Sequence, residues 1–126
     1  MSKECKIIEA FLKKTNLFQA DLQGADIIES ELQESNLFGA NLTKADLERS
    51  NLSNTHMGRV NLTSTNLKGA KLEGAKYLST ATMDDTIMPD EVILKGTHNS
   101  KGMSPDEWLS IPGHELNNSI VVNFVG

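Results

Sequence analysis

The chain has 126 residues, 38% of them hydrophobic and 23% charged, and a formal net charge of -5. That is the length of one domain, and no apolar run comes near the ~18 residues of a membrane-spanning helix. The opening Met-Ser-Lys-Glu-Cys-Lys lacks the apolar core of a signal peptide, so the sequence reads as cytoplasmic.

Residues 1–4 are followed, over residues 5–79, by fifteen consecutive blocks of five. The third residue of each block is apolar or aromatic: Ile7, Leu12, Leu17, Leu22, Ile27, Leu32, Leu37, Leu42, Leu47, Leu52, Met57, Leu62, Leu67, Leu72 and Tyr77. The first is small, from Cys5 and Ala10 through Thr15, Ala20 and Ala25 to Ala75. At 38% hydrophobic residues, such a run has a chance probability of about one in a million, so the repeat takes precedence over any helix or strand pattern. A period of five suits neither. It would smear the leucines around a helix in steps of about 140°, and it would alternate them between the faces of a strand. A coil that turns a corner every five residues puts all of them inside.

Ala20-Asp21-Leu22-Gln23-Gly24, Ala40-Asn41-Leu42-Thr43-Lys44, Ala45-Asp46-Leu47-Glu48-Arg49 and Ser50-Asn51-Leu52-Ser53-Asn54 resemble the A(D/N)LXX unit of pentapeptide repeat proteins, most closely their leucine-rich cyanobacterial-type members. The resemblance covers about two thirds of the chain. It implies an all-β fold, a right-handed quadrilateral β-helix in which residue n stacks over residue n+20. It leaves the activity open, because function varies within the family.

At the N-terminal end, residues 1–4 are too few to cover the first coil. A solenoid end needs a cap, supplied here by a partner protein or by Ile7, Ile8 and Phe11 closing it locally. Cys5, the only cysteine, sits at a small-residue position and reads as core filler rather than a reactive thiol.

Asn or Asp precedes the apolar residue in nine of the fifteen blocks, where a short polar side chain can bond nearby backbone. His56 replaces Asn in the column Asn16, Asn36, His56, Lys76, and reads as a packing variation rather than a ligand. Glu29 is expected under Arg49 and Glu48 under Lys68, each pair contributing under ~1 kcal/mol. Asp26 under Asp46 is a like-charge exception, either a water-screened pair or a cation site.

The column Phe18, Phe38, Gly58, Leu78 follows the buried position and should face outward, and Ile8 under Ile28 does the same on a different face. Contiguous exposed apolar surface marks a partner or dimer contact, unless the rings shield backbone or a terminal segment folds over them.

After Tyr77 the register slips by one, with Thr80 as the extra residue, and two further units run over residues 81–85 and 86–90. The seventeen blocks make a little over four coils, a stack about 20 Å tall. The repeat domain therefore spans 1–90 and a capping segment 91–126. In that segment Ser104-Pro105-Asp106-Glu107 is a capping box that starts a short helix near 104–111. Trp108 on it is expected to cover the top coil. The run at residues 120–125, with Phe124, is apolar enough for a strand.

Residues 5–79 hold nine acids and nine bases, acidic in the first half and basic in the second; residues 80–126 hold seven acids against Lys95 and Lys101. His98 and His114 have no cysteine or acid at metal-ligand spacing, and there is no phosphate loop or basic stripe with interleaved aromatics. The sequence thus points to no catalytic group, metal or cofactor, and to neither nucleic acid nor membrane.

It reads as a non-enzymatic protein-interaction scaffold or assembly factor. Another protein or a second copy would dock through Ile8, Phe11, Phe18, Ile28, Phe38, Leu78, Trp108 or Phe124. The alternative, which the resemblance brings, is a DNA mimic acting on gyrase or another topoisomerase. Against it stand a short rod, a neutral solenoid and few phenylalanines in the core positions.

Overall fold

The structure, a computed structural model, describes residues 10–90 and the backbone of residues 93–94. Cys5, Ile7, Ile8, His98, His114, the proposed helix with Trp108 and the apolar run with Phe124 lie outside the described residues.

From Ala10 onward the chain coils with a period of twenty residues. Parallel bridges join Phe11 to Glu31, Asn16 to Asn36, Asp21 to Asn41 and Asp26 to Asp46, and the same four columns continue upward. Each bridge is made by backbone alone: Asn36 N–H donates to the Thr15 carbonyl at 3.0 Å, and Leu17 N–H donates to the Asn36 carbonyl at 2.8 Å. The straight stretches are short because every block ends in a corner. At the corner after Leu17, Ala20 N–H donates back to the Leu17 carbonyl at 3.0 Å while Gln19 adopts a φ of +57°.

A turn of this hydrogen-bonding pattern needs a left-handed residue at its third position. Thirteen successive corners from Lys14 to Gly74 supply one, and only four of them are glycine. The other nine accept a cost of about 1 kcal/mol each. Bonds between coils offset it, such as Gln19 N–H to the Phe38 carbonyl at 2.8 Å.

Inside, the leucine column is closed to water: Leu32, Leu37, Leu42, Leu47, Leu52, Leu62 and Leu67 are buried with Ile27 and Met57. The small first residues line the same core. Among them, the hydroxyls of Ser35, Ser50 and Thr65 reach a carbonyl of the coil before, that of Leu12 at 2.9 Å, Ile27 at 2.6 Å and Leu42 at 2.7 Å, whereas Thr15 and Thr55 bond Leu12 and Leu52 within their own coil. In the first three the buried hydroxyl therefore serves as a tie between coils rather than an unpaired polar group.

The register change differs from the sequence expectation. Bridges run His56 to Lys76 and then Asn61 to Thr82, so one residue is added between 76 and 82. That residue is Tyr77, which turns outward at a φ of +61° and is 52% exposed. Leu78 takes the inward position instead, 1% exposed, and begins a 3-10 turn over Leu78–Thr80. Leu78 is thus a core residue and not an interaction candidate, because an aliphatic side chain fills the inner column that the larger, hydroxylated Tyr77 vacates. Met83 and Met88 continue the buried column.

Beyond it, β1 (Thr86–Ile87) still bridges back to Asn66 and also pairs antiparallel with β2 (Ile93–Leu94). Antiparallel pairing reverses the chain, which ends the coiling after Pro89.

Candidate interaction face

One side of the coil carries rings in four successive turns. Asn16 and Asn36 hold it from behind: each Oδ1 accepts the N–H two residues on, from Phe18 and Phe38, both at 3.0 Å. This is the Asx geometry of a short polar side chain bonding its own strand end. It fixes the backbone from which the two phenyl rings project, and they lie stacked, 5.7 Å between centroids and 11° between planes.

In the next coil the column residue is Gly58. A Cβ there would come within 2.9 Å of Phe38 Cδ2 and 3.0 Å of His56 Cε1. The missing side chain lets His56 occupy the ring's place, edge-on to Phe38 at 5.3 Å. His56 also performs the asparagine's task, since its Nδ1 accepts the Gly58 N–H at 3.3 Å. An accepting Nδ1 places the ring proton on Nε2. Above it Tyr77, set outward by the added residue, lies 5.0 Å from the imidazole. Phe18, Phe38, His56 and Tyr77 form one ladder.

A shallow groove of about 230 Å³ opens beside its upper half, lined by Phe38, His56, Gly58, Arg59, Tyr77 and Thr80. Thr80 shapes its rim: Oγ1 donates to the Tyr77 carbonyl at 2.8 Å and accepts the Arg59 N–H at 2.8 Å. On the far side of His56 a second hollow is bordered by Glu34, Asn36, Asn54 and Lys76.

Blocks 15–19, 35–39, 55–59 and 75–80 build this side, and they contain Arg59 and Lys76 but no Asp or Glu. Each of the other three sides carries carboxylates.

The expected site residues are thereby sorted. Phe18, 51% exposed, and half-buried Phe38 are brought together; Leu78 is replaced by Tyr77. Phe11 is 78% exposed but lies on the Glu31 column, and half-buried Ile28 lies on the Asp26–Asp46 side, so neither joins the ladder. His56, Tyr77, Arg59 and Thr80 were not among the sequence candidates. The signal for Tyr77 was the adjacent pair Tyr77-Leu78, either of which satisfies an apolar position.

Elsewhere the surface pairs by charge. Arg49 bonds Glu29 through Nη2 at 2.9 Å and Glu48 through Nη1 at 3.0 Å. The hydrogen bond and charge of Glu29, followed by the charge of Glu48, raise the Arg49 pKa above its ordinary value. Glu48 thus reaches its neighbour Arg49 in the same block. Lys14 stacks on Glu34 at 3.7 Å. In the like-charge column, Asp46 Oδ1 accepts the Asn66 amide at 3.2 Å. Among the described residues no three metal-ligating side chains gather, and no helix is long and apolar enough to cross a membrane.

A model of pentapeptide repeats matches the chain in eight copies, over residues 3–33, 15–54 and 40–76. The chain belongs to the pentapeptide repeat family. With that membership comes the right-handed β-helix, the fold already visible in the twenty-residue columns.

Among solved structures of the family, the chain is similar to HetL, a protein involved in heterocyst differentiation regulation from the cyanobacterium Nostoc sp. Strain PCC 7120. Identity is 27% over 73% of this chain and 50% of that one, with a TM-score of 0.41. A protein from the Arabidopsis thaliana thylakoid lumen is 22% identical over 82% of this chain and 72% of that one, with a TM-score of 0.41. QnrB1, a plasmid-mediated fluoroquinolone resistance protein, is 18% identical over 68% of this chain and 49% of that one, with a TM-score of 0.41. The pentapeptide repeat chain described here spans about half the length of HetL and QnrB1. No curated protein sequence matches it.

Proposed function

We propose that this pentapeptide repeat protein is a non-enzymatic interaction module that docks another protein on its aromatic ladder. The observation that supports this most is the continuity of Phe18, Phe38, His56 and Tyr77 along one side of a rigid stack. Rings that stack on one another and still meet solvent offer a large apolar contact at small conformational cost, since the coil already holds them in place. Arg59 and Lys76 beside them favour a partner segment that is acidic as well as apolar.

Mimicry of DNA, the second reading, needs a continuous negative field. The ladder side has no carboxylate, and residues 5–79 hold equal numbers of acids and bases. A gyrase supercoiling assay separates the two readings: the docking role predicts no inhibition or protection at stoichiometric protein. The docking role itself is tested by replacing Phe18 and Phe38 with serine in a chain that still melts cooperatively. Bound proteins should be lost.

A further inference from the structure

The ladder side is incomplete in charge. Neither Arg59 nor Lys76 forms an ion pair with a described residue; Arg59 lines the ring-walled groove, and Lys76 borders the hollow on the other side of His56, where Glu34 also lies. The complement of the ladder side is a short acidic stretch next to a large apolar side chain. The chain contains such a stretch at Asp106-Glu107-Trp108-Leu109. Of the acids after residue 90, namely Glu91, Asp106, Glu107 and Glu115, only the central two lie within two residues of a phenylalanine, tyrosine or tryptophan. The apolar run at 120–125 carries no charge.

The geometry allows the reach. β2 ends at Leu94 and pairs with β1, which sits in the Asn66 column, two sides round from His56. Half a coil is ten residues of cornered backbone. The ten steps from Leu94 to Ser104 span up to about 33 Å when extended, more than the about 20 Å height of the stack.

We propose that residues 104–109 of this chain dock on the ladder side, Trp108 and Leu109 against Phe38 and Tyr77, Asp106 and Glu107 toward Arg59 and Lys76. The proposal rests on reading the ladder as a docking face and names its resident occupant. The indole over the rings and the guanidinium beside it add stacking and cation–π attraction to the two ion pairs.

The chain carries one tyrosine, Tyr77, and one tryptophan, Trp108, so transfer of excitation from the first to the second reports their approach in the full-length protein. In the native chain Tyr77 emission should be suppressed relative to Trp108→Phe. Asp106→Lys with Glu107→Lys should weaken docking about tenfold and restore the emission. Arg59→Glu should do the same from the solenoid side, and combining Arg59→Glu with Glu107→Arg should suppress the emission again.

Equal tyrosine emission in the native chain and Trp108→Phe would overturn the proposal. So would emission indifferent to charge reversal, or suppression that grows with protein concentration, which would put the segment on a second copy. Because the readout is intramolecular, its failure leaves the docking of other proteins to be judged separately on Phe18→Ser with Phe38→Ser.

Discussion

The ring of Phe38 fills the space that a side chain on Gly58 would need. A Cβ at residue 58 would lie 2.9 Å from Phe38 Cδ2, closer than real contacts allow. The glycine is thus part of the ladder, although it contributes no atoms to it. Its N–H is bonded to His56 Nδ1, so the same residue admits the imidazole and orients it.

Gly58→Ala should cost about 1–2 kcal/mol by forcing Phe38 off its stack. Urea unfolding of the single variant, Phe38→Ala and the double variant checks this. The double variant should lose less than the sum of the two, because the methyl group then meets only the edge of His56.

Removing Tyr77 restores an unbroken period: Ala75-Lys76-Leu78-Ser79-Thr80 followed by Ala81-Thr82-Met83 is two ordinary blocks. The deletion should keep the fold, with a change of about 1 kcal/mol from the lost ring contacts, since the left-handed corner passes from Tyr77 to Thr80. Leu78→Ala, one residue away, should cost about 2–5 kcal/mol by leaving a cavity in the core. Thermal unfolding of the two variants distinguishes this register from one in which Tyr77 points inward.

That region also shows how far the sequence can be read. The period of five contains the whole core from Leu22 to Leu72, because a corner every fifth residue turns the first and third residues of each block inward. It cannot decide between Tyr77 and Leu78. Both satisfy the pattern, and the choice depends on whether a hydroxylated ring or an aliphatic chain fills the interior below Met83. His56 was legible as a break in the asparagine column and Gly58 as a break in the phenylalanine column. That one break makes room for the other is a matter of ring orientation, which spacing does not encode.

The corners were hidden for a related reason. Lys14, Glu29, Glu34, Lys44 and Arg49 hold a left-handed backbone that only Gly24, Gly39, Gly69 and Gly74 advertise in the sequence. The strain is local to the corner, whereas the hydrogen bonds that offset it come from a coil about twenty residues away.

Ser50 ties two coils together. Its hydroxyl donates to the Ile27 carbonyl at 2.6 Å and accepts the Ser30 N–H at 3.1 Å, all out of contact with water. Ser50→Ala should therefore cost about 1–3 kcal/mol, the penalty of unpaired buried backbone groups. Ser50→Thr should cost less, since Thr65 makes the equivalent bond to Leu42. Denaturant midpoints of the two variants give the comparison.

The Glu29–Arg49 pair is well formed at 2.9 Å, yet both side chains are solvated. A double-mutant cycle of Glu29→Ala and Arg49→Ala should give only a small coupling, and it should shrink further in high salt. This side of the coil therefore serves as a control surface for the ladder side.

The docking role is tested most directly by quantitative affinity capture on three folded proteins: the native chain, Phe18→Ser with Phe38→Ser, and Glu29→Ala with Arg49→Ala. Proteins retained by the native chain should fall at least about tenfold on the ladder variant and stay unchanged on the control. The same proteins held equally by all three would contradict the account.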